Sequence, residues 1–376
     1  MLEVADNSPG AFARLGLNRR TLGQQNLEPT RLTGAKRAFT TRRVELSLAR
    51  RLATDCAPRA GDLLLARIES IGLHGRLESP HGRRCRLYPG DEIVVAYGAR
   101  YAPDQFEAVV PENLDSCHLA AGGGIAARVV HRHESVAKPT RIAPIGLLAG
   151  EDKRILNLRQ FALPDPRHPA NRPTAIVVAG TSMNAGKTTT AAALVHGLAL
   201  AGLRVGAAKV TGTGSGGDVW TLTDAGARRV VDFTDAGHAT TAGLDLLEIE
   251  RIALTLLDHL ANEPSDIIVI EVADGVLQRE TAHLLSAKRF QARIGGILFA
   301  AGDSMGAGAG VNWLRQRNLP LIGISGLVSA SPLGAREARQ ATGLDVLDNA
   351  TLSDPLVAPN LCLAATDAEP VYRTSS

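Results

Sequence analysis

Along the chain, the spacing of apolar residues changes character near residue 61 and again near residue 172. Between those points apolar residues come in short runs split by turn residues. The runs are Asp62–Ile68, a hairpin signal at Ser79-Pro-His-Gly82, and Pro89-Gly90-Asp91 opening Glu92–Tyr97. Pro, Gly and Asp supply the fixed or positive φ that tight turns require, so this punctuation predicts a small all-β domain over 58–163. Ala60-Gly-Asp-Leu-Leu-Leu-Ala66 and Pro89-Gly-Asp-Glu-Ile-Val-Val-Ala96 repeat one turn-then-strand pattern. That suits two analogous strands of a barrel or sandwich. Ala121-Gly-Gly-Gly124 leads into a strand over Ile125–His133, and Ile155–Phe161 is read as a last strand. The glycines either let a ligand approach the backbone or make a tight connection.

Leu163–Pro173 holds four prolines and marks a boundary. Beyond it, strand and helix alternate: strands at Ile176–Ala179, Arg204–Thr211, Asp266–Val272, Ile294–Ala300 and Leu319–Ile324, with helices at Lys187–Ala201 and Asp245–Leu260. Asp245 and Glu248 make a capping-box-like start to the second helix. Alternation of this kind predicts an α/β domain over 172–345, a parallel sheet flanked by helices with ligands at the carboxyl ends of its strands. Residues 346–376 carry no strong signal and are read as a tail. Residues 1–57 lack sustained periodicity, apart from Arg42–Arg50, which suits either a strand or a short helix. They are read as a basic arm dispensable for folding.

Chemistry concentrates where the first α/β strand ends. Ala175-Ile-Val-Val-Ala-Gly180-Thr-Ser-Met-Asn-Ala-Gly186-Lys187-Thr188-Thr189 is a buried-strand run that breaks into a glycine loop and then a helix. Successive backbone N–H groups in such a loop form a nest for phosphate oxygens, and the helix that follows points its positive end at the same place. The cofactor-binding candidates are therefore Gly180, Thr181, Asn184, Ala185, Gly186, Lys187, Thr188 and Thr189. Lys187 would reach the outer phosphates and Thr188 would offer its hydroxyl to Mg²⁺. The common pattern has glycine five residues before the second Gly. Here that place is Thr181, with Gly180 one position earlier.

The spacing resembles the loop of dethiobiotin synthetase and its relatives in the SIMIBI class of P-loop proteins, cobyrinate-type amide synthetases included. It is also similar to a bacterial family that includes D-amino-acid N-acetyltransferases. The resemblance covers roughly residues 172 to 330. It implies that Lys209, at the end of the next strand in Lys209-Val-Thr211-Gly212, neutralises charge developing on a transferred phosphoryl group. It also implies that Asp218 and Glu271 are metal ligands. Glu271 closes the apolar run Ile267–Ile270 and begins Glu271-Val-Ala-Asp274-Gly275, where the resembled family reads Glu-Gly-x-Gly-Gly. Homodimerisation is a further implication of the resemblance.

Other stretches stay open. Gly212–Gly217 could wrap an anionic ligand. Asp232–Thr241 is either the pocket for a second substrate, with Asp235 or His238 as general base, or a helix-capping loop. Ala301–Gly310 is either the place where a base is read or a mobile lid; the guanine-reading Asn-Lys-x-Asp motif is absent, which favours adenine. His131 and His133 alternate on one strand face, a spacing metals use, without a third ligand in sight.

Composition narrows the classes. Residues 1–60 hold eleven Lys/Arg against five Asp/Glu, a balance of +6, which leaves −3 for the remainder of a chain whose total is +3. Only two aromatic residues, Phe12 and Phe39, lie within that basic stretch and no nucleic-acid motif follows, so a nucleic-acid partner is not expected. No apolar run reaches the length of a membrane span, and the start of the chain does not read as a secretory signal. Cys56, Cys85, Cys117 and Cys362 are scattered without a Cys-x-x-Cys pair, so reduced thiols and a cytoplasmic location are expected. The leading functional reading is a Mg²⁺- and ATP-dependent ligase or kinase that activates a small acid or amino acid by phosphoryl transfer. A second reading is an acyltransferase whose loop holds the phosphates of acetyl-CoA, and a third is an NTPase that assists cofactor delivery.

Overall fold

A computed structural model describes residues 23–367, apart from His168 and Asn171. The chain forms two units. One comprises Met1–Asp165, Gly212–Gly217 and Phe233–Gly243, and the other Pro166–Thr211, Asp218–Asp232 and Leu244–Ser376.

The first unit holds strands β1 (Gln24–Asn26), β2 (Lys36–Arg37), β3 (Arg51–Ala53), β4 (Leu63–Ser70), β5 (Arg76–Glu78), β6 (Arg84–Arg86), β7 (Glu92–Tyr97), β8 (Arg100–Tyr101), β9 (Phe106–Val109), β10 (Cys117–Ala121), β11 (Ile125–Arg132) and β12 (Thr140–Ala149), with helix α1 (Pro29–Gly34). Pairing runs β12–β4–β7–β11–β10 and returns to β12, a closed ring of five strands. Closure leaves no bare edge among them. The two copies of the repeated pattern are β4 and β7, which pair antiparallel with Leu64 opposite Val95. Their strands bury both faces: Leu63 and Leu65 enter one core cluster, and Leu64, Ala66 and Ile68 another. Burial on both sides is why Leu63-Leu-Leu-Ala66 reads as an unbroken apolar run instead of an alternation.

Two expectations for this unit are corrected. From Gln24 on, the segment read as a dispensable arm is part of the sheet: β1 pairs with β3, β3 with β12, and β2 with β7. Phe39, Val44 and Leu52 from the same segment are buried. Elements of two or three residues are too short to show a period, so they left no pattern to read. Ile155–Phe161 is not a strand either. Ile155 and Asn157 make single bridges, and Asn157 then caps a 3-10 turn at Leu158–Phe161.

The second unit contains β13 (Thr174–Gly180), α2 (Lys187–Leu200), β14 (Val205–Lys209), α3 (Gly216–Asp224, whose first two residues are counted with the first unit), β15 (Arg229–Asp232), α4 (Leu246–Ala261), β16 (Ile267–Glu271), α5 (Arg279–Ser286), α6 (Lys288–Gln291), β17 (Ile294–Ala300), α7 (Ser304–Arg315), β18 (Leu321–Ser325), α8 (Pro332–Thr342), α9 (Asn349–Leu352) and α10 (Ala358–Asp367). All six strands are parallel in the order β15-β14-β16-β13-β17-β18. The chain leaves β13 toward β14 on one side and later crosses to β17 on the other, so the loop after β13 lies at a topological switch point.

Here too the sequence reading needs correction at two places. Ala301–Gly310 is mostly helix: α7 starts at Ser304, with Asp303 as its N-cap accepting from Gly306 N–H at 2.7 Å. A Cβ at Gly310 would overlap the Phe299 ring, so this glycine serves close packing of α7 on β17 and not a lid. The supposed tail from residue 346 supplies Leu352, Ala358 and Cys362 to the core cluster that also contains Ala191, Leu194 and Leu198 of α2.

Candidate functional site

The loop between β13 and α2 has the backbone its sequence demands. Gly186 adopts φ 96° as the residue before the helix, a left-handed conformation open to glycine at little cost. A Cβ there would also come within 2.9 Å of the Gly326 Cα. Asn184 takes φ 62°, which asparagine tolerates better than most residues. The displaced first glycine has a steric reason. A Cβ at Gly180 would sit 2.7 Å from the Ala300 carbonyl oxygen and 3.0 Å from Lys187 Cγ. The next residue, Thr181, donates its N–H to that same Ala300 oxygen at 3.0 Å. Lys187 Nζ turns back and donates to the Ser182 carbonyl at 2.6 Å, crossing the hollow of the loop. Burial lowers its pKa, opposed by the negative charges of Glu271 and Asp274.

Lys187, Thr188, Lys209, Asp218 and Glu271 come together in the second unit. Val178 of β13 pairs with Glu271 of β16, and Glu271 pairs in turn with Lys209 of β14, so neighbouring strand ends deliver Glu271 and Lys209, while Lys187 and Thr188 open α2 and Asp218 lies on α3. Thr188 Oγ1 lies 3.0 Å from Glu271 Oε1 and 3.2 Å from Asp218 Oδ1. A hydroxyl has one proton to give, so it satisfies one carboxylate at a time. Lys209 forms an ion pair with Asp218. Burial works against the Lys209 charge, yet Asp218 and Glu271 outweigh it and raise its pKa. Asp218 is likewise pushed up by burial but ends low because of Lys209. Glu271 is 3 % exposed, and burial, with Asp218 beside it, raises its pKa in spite of Lys209. Its Oε2 is buried with no hydrogen-bond partner.

That orphaned oxygen tests whether Mg²⁺ fits. A hard dication takes oxygen ligands and keeps several waters or phosphate oxygens, so one hydroxyl and one or two carboxylates are enough protein donors. Thr188, Asp218 and Glu271 supply that set, and the cation would relieve the cost of burying Glu271 as an anion. Groups of three or more His, Cys, Asp or Glu able to hold a metal do not occur among the described residues. His131 is exposed and paired with Glu107 at 2.6 Å.

Asp235 and His238 belong to the first unit. Asp235 Oδ2 lies 2.7 Å from Arg42 Nη2, and Oδ1 lies 3.8 Å from Arg43 Nη1. A carboxylate spent on two guanidinium groups is a poor proton acceptor, which corrects its reading as a general base. His238 is buried at 4 % exposure, and Thr240 and Thr241 direct their hydroxyls to the Gly212 carbonyl. Gly212–Gly217 is already occupied by an acid: Glu78 Oε2 accepts from Ser215 Oγ at 3.1 Å and from Gly216 N–H at 2.9 Å. An anionic ligand would be repelled there.

Two features of the second unit escaped the sequence reading. The Asp274 charge acts on both lysines, opposing the lowering by burial at Lys187 and adding to the rise that Asp218 and Glu271 produce at Lys209. A cavity of about 470 Å³ opens beside the loop, lined among others by Gly186, Thr189, Gly326, Ser329 and Asp348. The residues after β18 that line it are held to the loop by Leu327 N–H donating to the Ala185 carbonyl at 3.1 Å. The Gly326 turn was the available signal, but nothing in one sequence says which strand-end loop meets the phosphate nest.

Sheet order, loop conformation and the acids at the neighbouring strand end define the second unit as a P-loop α/β fold. No family model and no curated protein matches the sequence. Among solved structures, the chain is similar to the signal recognition particle 54 kDa protein of Aeropyrum pernix in complex with GDP, at 19 % identity over 53 % of this chain and 47 % of that one, TM-score 0.34. It is also similar to the cell division protein FtsY of Thermotoga maritima, at 16 % identity over 55 % and 64 %, TM-score 0.28. The match thus spans about half the length of the first and under two thirds of the second.

Proposed function

We propose that the protein is a Mg²⁺-dependent ATP-utilising enzyme of the SIMIBI class that transfers the terminal phosphoryl group of the nucleotide to a small acid or amino acid. The observation that carries this reading is the meeting of Thr188, Asp218 and the orphaned Glu271 oxygen beside the phosphate nest. Bare phosphate binding, or binding of coenzyme A, has no need of a metal site there. The cavity bounded by Gly186, Thr189 and Asp348 supports a nucleoside over a simple oxyanion, because it extends the nest into a volume fit for a small ligand.

In this reading the loop amides and Lys187 bind the β- and γ-phosphates, and Lys187 exchanges its bond to Ser182 for phosphate oxygens. Thr188, Asp218 and Glu271 hold Mg²⁺, which when bound neutralises charge on the phosphates. Lys209, kept protonated by its carboxylate neighbours, faces charge that develops during transfer.

Thermal-shift titration with ATP, GTP and acetyl-CoA, each with and without Mg²⁺, tests this proposal, since a ligand selective for the folded state raises the melting point by mass action. ATP with Mg²⁺ is expected to give the largest shift, and Lys187→Ala to abolish it in a protein that still melts cooperatively. A shift by acetyl-CoA that ignores Mg²⁺, with none from ATP, would overturn it in favour of an acyltransferase.

A further inference from the structure

Beyond β18 the chain closes over one side of the phosphate loop. Gly326 turns at φ 89°, where a Cβ would lie 2.2 Å from the Ala185 carbonyl oxygen. Val328 N–H donates to the Ala301 carbonyl at 3.0 Å, and Ser329 Oγ donates to the Gly326 carbonyl at 2.7 Å. Further on, Val346 makes a parallel bridge to Ile324 of β18, and Leu347 N–H donates to the Ile324 carbonyl at 2.8 Å. Asp348 then caps α9, its Oδ1 accepting from Thr351 N–H at 2.8 Å. Helix α9 is itself seated on α2, so closely that a Cβ at Gly197 would overlap the Leu352 carbonyl oxygen. The walls of the cavity beside the loop are thus fixed by the loop, the sheet and α2 before any ligand arrives.

The chemistry of those walls is one-sided. Leu327, Ala330 and Pro332 supply an apolar surface, with Leu327 57 % exposed. Asp348 is the one charged residue among the described residues that line the cavity. The bond from Thr351 N–H holds its carboxyl below the ordinary aspartate pKa, so at neutral pH it is an anion. No cation pairs with it among the described residues. A carboxylate has about four acceptor sites and no donor, and the helix cap uses only part of them. A ligand that displaces water from this carboxylate must therefore bring donors of its own.

Thr189 lies in the first turn of α2 and lines the same cavity. A nucleotide with its outer phosphates in the nest brings its nucleoside past Thr189 toward Asp348. The apolar wall suits the faces of a flat base. Adenine's edge sets the N6 donor beside the N7 acceptor, which a carboxylate repels. The ribose instead offers two adjacent hydroxyls, both able to donate.

We propose that Asp348 is the ribose-recognition residue of the site, accepting from the 2′- and 3′-hydroxyls of the nucleotide and excluding nucleotides phosphorylated at the 3′ position. This rests on the nucleotide reading above and deepens it. A 3′-phosphate would replace a donor with negative charge against the Asp348 carboxylate, in a cavity whose described lining holds no cation to offset the repulsion. Coenzyme A carries such a 3′-phosphate, so the same residue separates ATP from coenzyme A.

Calorimetry on the full-length protein in Mg²⁺ tests this with ATP, 2′-deoxy-ATP, ADP, and 3′-phosphoadenosine 5′-diphosphate, which differs from ADP at the 3′ oxygen alone. Wild type is expected to bind ADP at least about 30-fold more tightly than its 3′-phosphate, and ATP about tenfold more tightly than 2′-deoxy-ATP. Asp348→Asn and Asp348→Ser both keep an oxygen that can cap α9. In both, discrimination against the 3′-phosphate is expected to fall to within about threefold, and in Asp348→Ser the preference over 2′-deoxy-ATP falls as well. A role in capping alone would move the melting point and leave both ratios as in wild type. Wild type that binds the two diphosphates within threefold of each other, or variants that keep the wild-type ratios, overturn the assignment. Failure of wild type to bind ADP and ATP contradicts the nucleotide reading itself, and the ADP Kd tells the two failures apart.

Discussion

Single residues show how burial and charge set the behaviour of each unit separately. In the first unit His74 is partly buried with Nε2 3.0 Å from the Ala120 carbonyl, and its pKa is pushed down to about 4 by burial and then by the Arg100 charge. The unfolded chain therefore takes up the His74 proton before the folded one as pH falls. Its contribution is fully present above the ordinary histidine pKa of about 6.5 and is lost as pH drops toward 4. We predict about 2 kcal/mol of pH-dependent stability from this group once its partial exposure is discounted. His74→Gln should flatten the unfolding free energy between pH 6.5 and 4 by that amount, and an unchanged slope in denaturant titrations would refute it. At this scale the sequence was informative where chemistry is local. Lys187 and Thr188 follow a glycine loop and could be named from the motif, and Glu271 from its place at the end of Ile267–Ile270. The approach of the segment after Glu271 to the phosphate loop could not be read, because it depends on Gly275 meeting Thr181 across almost a hundred residues of chain. Asp235 misled for the same reason: its partners Arg42 and Arg43 lie far away in sequence.

Elements were legible in proportion to their length. The β4 and β7 runs, and β13, β16 and β17 of the P-loop sheet, are long enough to stand out as apolar runs bounded by turn residues. The pieces β1 to β3, and α9 near the far end, are only two to four residues long, and they act through contacts that no local pattern records. Removal of residues 1–58 should consequently cost the first unit two pairings to β12 and β7 as well as buried Phe39, Val44 and Leu52. A chain beginning at Arg59 is expected to be insoluble or to lose its cooperative melt, and a truncated protein that melts like the full chain would disprove the structural role of those strands. Glycine runs were the other blind spot. Ala301–Gly310 has the composition of a loop but the spacing of a helix packed on Phe299. Gly310→Ala is predicted to destabilise the second unit by about 1–3 kcal/mol, the usual cost of overpacking a filled core. A gain in stability, as expected for alanine in an unconstrained helix, would show that the contact is slack.

For the whole molecule, the candidate cations and acids lie in the second unit: a phosphate loop, Lys187 and Lys209, Glu271 at the end of β16 and Asp218 on α3. Among the described residues no helix is long and apolar enough to cross a membrane. The central claim is that Thr188, Asp218 and Glu271 form a magnesium site coupled to nucleotide. The most direct measurement is calorimetric titration of ATP into wild type and Glu271→Gln, each in Mg²⁺ and in EDTA. Metal should tighten binding at least about tenfold in wild type, because it neutralises both the phosphates and the buried Glu271. Most of that gain should vanish in Glu271→Gln, with partial recovery in Mn²⁺. Equal ATP affinity with Mg²⁺ and with EDTA in the wild-type protein would contradict the claim.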